Sequence, residues 1–315
     1  MSESPETCMS DLPECWPELP FAEWKDTCAT LHMWTQMVGK VRMKLSPKQN
    51  HAWHVPLYVS ARGLTTSAIP YDRFLFELEF DFIKSELVLR TSEGLRRSLP
   101  LAPRAVADFY EDFLELLQSA DIKVKIWKMP VEVPEPIPFD QDRVHASYDP
   151  EYVRRFWNIL GSADRVFHEF RSRFIGKSSP VHFFWGSFDL AVTRFSGRRA
   201  PERSGADSIT REAYSHEVSS VGFWSGGGEI KGPAFYSYMA PEPQGFREAS
   251  VRPEAAFYHQ KIGEFLLMYE DARRAASPGA ALLQFCQSTY EAGAKLANWD
   301  RQTLEKAQEF SANTV

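Results

Sequence analysis

Residues 74–82, FLFELEFDF, constrain the fold more than any other stretch of this sequence. Phenylalanine or leucine occupies every second position, and Glu77, Glu79 and Asp81 lie between them. Because neighbouring residues of a strand point to opposite faces, this alternation predicts a strand with one apolar and one polar face. The flanking stretches HVPLYVSARG and ELVLRTSEG are strand-like as well, and their connections are short. We therefore predict an antiparallel meander.

Long amphipathic helices accompany these strands. Residues 22–45 and 149–174 place apolar side chains at steps of three and four, which is the spacing of one helix face. Asp149 and Pro150 are typical of a helix start, with aspartate as the N-cap and proline at the first helical position. Further helices are predicted over 103–118, 253–272 and 278–296. Further strands are predicted over 121–129, 181–195, 214–224 and 234–240. The fold class is therefore α+β, with mainly antiparallel sheets packed against long amphipathic helices.

A proline-rich segment divides the chain. Residues 130–139, PVEVPEPIPF, contain four prolines, which disfavour helix and central strand and favour an extended connector. The predicted organisation has five parts: an N-terminal arm over 1–20, a first αβββαβ half over 21–129, a connector over 130–148, a second half with C-terminal helices over 149–300, and a tail over 301–315.

The two halves share a plan that suggests an internal duplication. Each begins with a long aromatic-rich helix, passes a Ser-Pro into strands, and reaches a helix started by proline. The halves would then be similar αβββα units, with strand 54–62 equivalent to strand 182–190 and His54 aligned with His182. Chance similarity of helix and strand patterns is the alternative.

Composition and charge exclude several classes of protein. The net charge of −6 argues against a nucleic-acid footprint, which requires a basic face. No apolar run approaches the roughly 20 residues of a membrane helix. The N-terminus lacks the charged and apolar regions of a signal peptide. The four cysteines, at positions 8, 15, 28 and 286, have no paired metal spacing, so we predict free thiols and a cytoplasmic location.

Polar side chains within predicted strands mark the candidate site. The stretch SPVHFFWGSFDLAVTRFSGRRAP, residues 179–201, reads as buried strand yet contains histidine, aspartate and arginine. The candidate catalytic residues are His54, Arg62, His182, Asp189, Arg194, His216 and Glu217. The candidate substrate-binding residues are Tyr58, Trp185, Arg198 and Trp224. The alternative is a structural aspartate–arginine pair and a hydrogen-bonded core histidine.

The histidines also suggest a metal site. His54, His182 and His216 all lie on predicted strands, with a carboxylate available from Asp189 or Glu217. Two or three histidines with one carboxylate suit zinc or ferrous iron. Since no local ligand motif is present, such a site must be assembled from separate strands. We expect His182 to approach His54 or His216; the cofactor is otherwise unknown.

These residues predict an enzyme that acts on a small anionic molecule in a pocket between the two halves. Histidine would act as a metal ligand or general base, and arginine would hold the anion. The polar loop SGRRAPERSGADSITR and the glycine-rich loop SGGGEIKGP are candidates to close over it. A non-catalytic protein that binds a small ligand and a protein-interaction module are the alternatives. The oligomeric state is open.

Three stretches resemble a known family. HVPLYVSARGLTTS, FIGKSSPVHFFWGSFDLAVTRFSGRRAP and REAYSHEVSSVGFW are similar to those of a bacterial family known only as domain of unknown function 5996. The resemblance extends from about Trp16 to Trp299. The resemblance implies that the chain is a single unit that recurs among bacterial proteins. It implies no reaction, cofactor or catalytic residue.

Overall fold

The alternating segment 74–82 lies in the first of two antiparallel sheets, where its strand pairs with three others. This computed structural model describes residues 15–202 and 204–306. The strands of the first sheet are β1 (Tyr58–Val59), β2 (Gly63–Thr65), β3 (Ile69–Tyr71), β4 (Phe74–Asp81), β5 (Glu86–Thr91) and β6 (Arg96–Pro100). Their order is β1-β2-β4-β5-β6, and β3 also pairs with β4. The predicted meander is therefore confirmed.

The second sheet carries most of the candidate site. Its strands are β7 (His182–Phe184), β8 (Asp189–Arg199), β9 (His216–Trp224), β10 (Ala234–Ala240), β11 (Phe257–His259) and β12 (Glu264–Met268). Their order is β11-β12-β10-β9-β8-β7, and every neighbouring pair is antiparallel. Leu57 and Phe183 exchange two backbone hydrogen bonds of 2.9 Å. This bridge places the segment before β1 beside β7, so the two halves meet there.

The long helices lie where the periodicity predicts them. The helices within the described ranges are α1 (Phe21–Leu45), α2 (Val106–Gln118), α3 (Pro150–Ser172), α4 (Ser208–Ala213), α5 (Tyr269–Arg273), α6 (Pro278–Leu296) and α7 (Arg301–Leu304); a 3-10 turn spans Asn50–Ala52. The Asp149 side chain accepts hydrogen bonds from the backbone N–H groups of Glu151 and Tyr152, so the predicted N-cap is confirmed. The α+β fold class is confirmed as well. No helix in the described part of the chain is long and apolar enough to span a membrane.

The predicted helix over 253–272 is wrong. This segment forms β11, a turn, β12 and only the short α5. Gly263 adopts a φ of 78° in that turn, and a left-handed residue there ends any helix. Phe265, which belonged to the predicted apolar helix face, lies in the core together with Leu267 on β12, and β12 pairs with β10.

The predicted strand over 121–129 is also wrong. This segment pairs with no strand of residues 15–202 and 204–306, and side chains of α1 bind its backbone and that of the connector instead. Lys40 donates from Nζ to the carbonyl of Met129 at 2.7 Å, and the Gln36 amide binds both backbone groups of Val131. These contacts satisfy the backbone groups of Met129 and Val131, where the segment joins the connector.

The organisation into two similar halves is only partly visible. Residues 131–148 contain no helix or strand, as expected of a connector. The duplication is not confirmed, because the segment aligned with α2 forms β11 and β12. One continuous core contains Trp34 and Phe80 of the first half together with Phe156 and Phe223 of the second. The domain boundaries stay a prediction, and most of the predicted arm and tail lies outside the described residues.

Candidate functional site

The two faces of the second sheet have different surroundings. Arg194 of β8 points toward the helices, where its guanidinium lies 3.5 Å from the Phe170 ring centroid of α3 and 4.3 Å from that of Tyr290 of α6. Since neighbouring strand residues alternate, Asp189 and Thr193 point to the other face. Asp189 and Arg194 therefore do not form the structural pair that was the alternative interpretation. We call the face opposite the helices the polar face.

Asp189 is the buried anion of the polar face. Its side chain is only 6% exposed and accepts hydrogen bonds from the hydroxyl groups of Ser187 and Tyr236. The Tyr236 ring reaches Asp189 by crossing β9 at Gly222, where a Cβ atom would overlap the ring. Burial raises the pKa of Asp189, although both hydrogen bonds act in the opposite direction.

An open cleft lies at the β10–β12 end of the polar face. Its volume is about 350 Å³, and its lining residues are Tyr214, Tyr238, Met239, Ala240, Pro241, Glu242, Gly263 and Glu264. The hydroxyl groups of Tyr214 and Tyr238 are hydrogen-bonded at 2.8 Å. Glu242 pairs with Arg247 at 2.7 Å and accepts a hydrogen bond from Tyr258. We call this region the tyrosine–carboxyl cleft.

Glu264 is the half-buried acid of this cleft. Burial, and to a smaller extent the charge of Asp189, raise its pKa from 4.5 to about 7. A carboxyl group with such a pKa exchanges a proton readily at neutral pH, which is the property that general acid–base catalysis requires. Glu132 of the connector approaches Gly186, and burial with the charge of Asp189 raises the pKa of Glu132 as well.

His182 lies at the other edge of the sheet, among aromatic rings. It is 1% exposed, and its ring centroid lies 5.6 Å from that of Tyr58, 5.9 Å from that of Trp53 and 5.4 Å from that of Phe184. Neither ring nitrogen has a hydrogen-bond partner within the described ranges. Burial, together with the charges of Arg42 and Arg171, lowers the pKa of His182 to about 3. The ring is therefore neutral at physiological pH.

His216 is linked to His182 through the rings of His51 and Trp53, whereas His54 lies in a turn before β1 and not on a strand as predicted, because β1 begins only at Tyr58. His216 contacts His51 at 5.6 Å between centroids, His51 contacts Trp53 at 5.5 Å, and Trp53 contacts His182. Lys177 lies 2.6 Å from the Nε2 atom of His51. The Nδ1 atom of His54 accepts a hydrogen bond from the backbone of Gln49. The direct approach of His182 to His54 or His216 stays a prediction.

The structure lends no support to the predicted metal site. Across residues 15–202 and 204–306, no group of three or more histidine, cysteine, aspartate and glutamate side chains is placed to hold a metal ion. Cys28 and Cys286 are buried free thiols. Burial raises the pKa of the Cys28 thiol to about 12.

Several predicted site residues have structural partners. Arg62 pairs with Asp81 at 2.7 Å. Arg198 pairs with Glu217 at 2.7 Å, and its guanidinium also binds the carbonyl groups of Ala297 and Asn298. These contacts explain the residues without requiring a ligand.

The two predicted tryptophans of the pocket also have packing roles. Trp185 is buried against Gly39 of α1 and donates from Nε1 to the carbonyl of Val55 at 2.9 Å. Trp224 packs beside a small apolar cluster on the polar face, formed by Ile230, Ala234 and Leu266. Neither ring lines the tyrosine–carboxyl cleft.

Sequence reasoning did not single out the residues of the tyrosine–carboxyl cleft. The stretch FYSYM alternates, so its two tyrosines share one strand face, and this was an available signal for Tyr236 and Tyr238. Glu264 had no such signal, because it lies in a segment that was predicted to be helical. Glu132 lies in an irregular connector, where no periodicity indicates a direction.

The chain is similar to a known protein family over most of its length. The model of a family of unknown function, DUF5996, matches residues 16–306. The chain belongs to DUF5996. The match includes both the tyrosine–carboxyl cleft and the histidines around Trp53, and it confirms the resemblance inferred from the three motifs. No curated protein and no solved structure matches this DUF5996 chain.

Proposed function

We propose that this protein is a cytoplasmic enzyme that uses Glu264 as a general acid–base group on a small, uncharged, hydroxyl-bearing molecule in the tyrosine–carboxyl cleft. The observation that carries the proposal is the combination of an open cleft of about 350 Å³ with a lining carboxyl group whose pKa is about 7. An acid of this pKa donates and accepts protons at neutral pH without a large energetic cost. A cleft with convergent polar groups and a perturbed pKa is the preferred place to look for an active site.

The charge of the cleft favours an uncharged substrate. Glu242 and Glu264 line it, and Asp189 lies behind it. An anion would be repelled by these carboxyl groups, so the anionic substrate expected from the sequence does not suit this cleft. The hydroxyl groups of Tyr214 and Tyr238 are suited to hydrogen bonds with substrate hydroxyls, and Met239 and Pro241 offer apolar contact.

Glycosides are the first substrate class to test. Glycoside hydrolysis uses two carboxyl groups, one protonated as the acid and one ionised. Glu264 fits the first role, and Glu242 paired with Arg247 fits the second. The released nitrophenol would be measured over a panel of nitrophenyl glycosides, with the wild type compared with Glu264→Gln and with the control Glu254→Gln, which changes an exposed glutamate.

We expect Glu264→Gln to lower kcat by about 100- to 10,000-fold, since it removes the transferable proton and preserves the shape. The wild type should show a rate dependence on pH with an inflection near 7, and Glu254→Gln should match it. Full turnover by Glu264→Gln would disprove the proposal. If no glycoside is turned over, carbon NMR of the glutamate carboxyl groups measures the pKa of Glu264. A value near 4.5 would contradict the proposal, because the cleft would then contain no acid suited to neutral pH.

The same carboxyl group predicts a pH-dependent stability. The pKa of Glu264 is higher in the folded protein, at about 7, than its ordinary value of 4.5. The contribution of Glu264 to the free energy of unfolding is therefore complete below pH 4.5 and is lost as the pH rises through 7. The cause is that between these values the unfolded chain has released the proton that the folded chain retains. Between pH 4.5 and 8 the wild type should lose about 2–3 kcal/mol of unfolding free energy relative to Glu264→Gln.

Urea unfolding at pH 5 and pH 8 measures this difference. Glu264→Gln should be more stable than the wild type at pH 8, and the gap should close at pH 5. Glu254→Gln serves as the control and should follow the wild type at both values. If the free energy of unfolding changes equally between pH 5 and pH 8 in the wild type and in Glu264→Gln, Glu264 titrates as an ordinary surface carboxylate.

A further inference from the structure

We propose that a second site, between the two halves, binds a small oxyanion such as the carboxylate or phosphate group of a small molecule. Its residues are Arg42, Trp53, Tyr58, Arg171 and His182, which we call the histidine–arginine cluster. Two of its polar side chains are more than nine-tenths buried and have atoms without a partner among the described residues. His182 is 1% exposed and lacks a partner at both ring nitrogens, and Arg42 is 7% exposed and lacks one at Nε.

The cluster has positive charge without a matching carboxylate. Arg42 donates from Nη1 to the carbonyl of Thr66, and its guanidinium lies 5.3 Å from the Tyr58 ring centroid. Arg171 donates from Nε to the carbonyl of Ser179 at 2.6 Å. Within the described residues no carboxylate forms an ion pair with Arg42 or Arg171, whereas Arg62, Arg90 and Arg198 each have one. A buried cation without a counter-ion is costly, and a bound anion would offset that cost.

The donor set fits an oxyanion in particular. A guanidinium presents parallel N–H groups that match the two oxygens of a carboxylate or phosphate. Burial and the charges of Arg42 and Arg171 keep His182 neutral, so its ring supplies one more N–H donor. The rings of Trp53, Tyr58 and Phe184 surround that imidazole and keep water away. A cation would meet two like charges here, so the cluster excludes a metal ion on electrostatic grounds.

The cluster joins parts of the chain that are distant in sequence. Arg42 belongs to α1 and Tyr58 to β1, whereas Arg171 belongs to α3 and His182 to β7. The Leu57–Phe183 bridge holds these segments together. The site is separate from the tyrosine–carboxyl cleft, because β7 lies three strands from β10, or about 14 Å at the usual strand spacing. A bound anion would therefore act across the junction of the halves and not in the cleft.

The test uses inorganic phosphate and acetate as probes on the full chain. Histidine ring signals are followed by nitrogen–proton NMR during each titration, with sodium chloride at equal ionic strength as the reference. The His182 signal is identified by its absence from His182→Gln. We expect a saturable shift of this signal with at least one probe, and binding at least tenfold weaker in Arg42→Gln. The control Arg97→Gln removes one exposed positive charge elsewhere and should bind as the wild type does.

Each of the following outcomes would contradict the proposed site. An unshifted His182 signal with both probes would overturn the proposal, and so would an equal shift with chloride or equal binding by Arg42→Gln and Arg97→Gln. If His182→Gln does not fold, Phe184→Leu takes its place, because it removes an aromatic ring 5.4 Å from that of His182 and leaves all five cluster residues unchanged. The histidine ring signal that shifts in this variant identifies His182 in the wild-type spectrum. The titrations with phosphate and acetate then follow that signal.

Discussion

Replacing Arg194 with alanine is expected to lower the free energy of unfolding by about 3–5 kcal/mol, the range for removal of a large buried side chain. Arg194 is fully buried, and its guanidinium lies between the rings of Phe170 and Tyr290, with Phe174 at 5.0 Å. Alanine would leave a cavity beneath α3 and α6 and would remove the cation–π contacts. Urea unfolding monitored by circular dichroism measures the change.

Arg194→Met separates packing from charge in this prediction. Methionine fills most of the same space and removes the desolvation cost of a charge whose Nε and Nη1 atoms have no partner in the described part of the chain. We expect Arg194→Met to stay within about 1.5 kcal/mol of the wild type, as conservative core replacements do. The exposed control Arg97→Ala should change the stability by less than about 0.5 kcal/mol. If Arg194→Ala is as stable as that control, the buried stacking has no energetic importance.

Replacing Gly222 with alanine is expected to cost about 3 kcal/mol, because it overpacks the polar face and breaks a hydrogen bond to a buried carboxyl group. A Cβ atom at this position would overlap the Tyr236 ring, which crosses β9 there to reach Asp189. The displaced ring would leave Asp189 with the hydroxyl of Ser187 alone. Gly161→Ala is the matched control, because open space surrounds that helical glycine, and it should be stabilising.

A double-mutant cycle tests the cause of the Gly222 effect. In a Tyr236→Ala background the added methyl group has no ring to displace, so Gly222→Ala should cost at least about 1 kcal/mol less than in the wild type. The measurement is again urea unfolding of the four proteins. Equal costs in both backgrounds would show that the strand itself, and not Tyr236, rejects the side chain.

These stability tests also bear on function. Arg194 was a catalytic candidate, yet it lies on the helix side of the second sheet, away from the tyrosine–carboxyl cleft. Arg194→Met should therefore keep any activity that Glu264→Gln removes. Gly222→Ala should impair that activity even where it folds, since Tyr236 and Asp189 support the cleft from behind.

The sequence by itself determined the elements whose signals are local. Helix α6 spans Pro278–Leu296 as predicted, and Asp149 caps α3 as its chemistry predicts. The strict alternation of FLFELEFDF specified β4, whose apolar side chains Phe76, Leu78 and Phe80 are buried. The motifs were also sufficient to identify the DUF5996 family. Each of these signals lies within about 25 neighbouring residues, where backbone geometry relates spacing directly to direction.

Only the tertiary structure decided which polar residues meet. Glu264 and Asp189 influence each other because β12, β10, β9 and β8 are neighbours in that order, and no local pattern encodes this pairing. Strand alternation alone places Asp189 and Arg194 on opposite faces, and the tertiary structure decided that the helices cover the face of Arg194. His182 was correctly predicted to be a buried polar residue, but its neighbours come from α1, from β1 and from Trp53, which follows the 3-10 turn. Contacts of this kind depend on how distant segments of the chain pack together. The periodicity of the sequence contains no information about that packing.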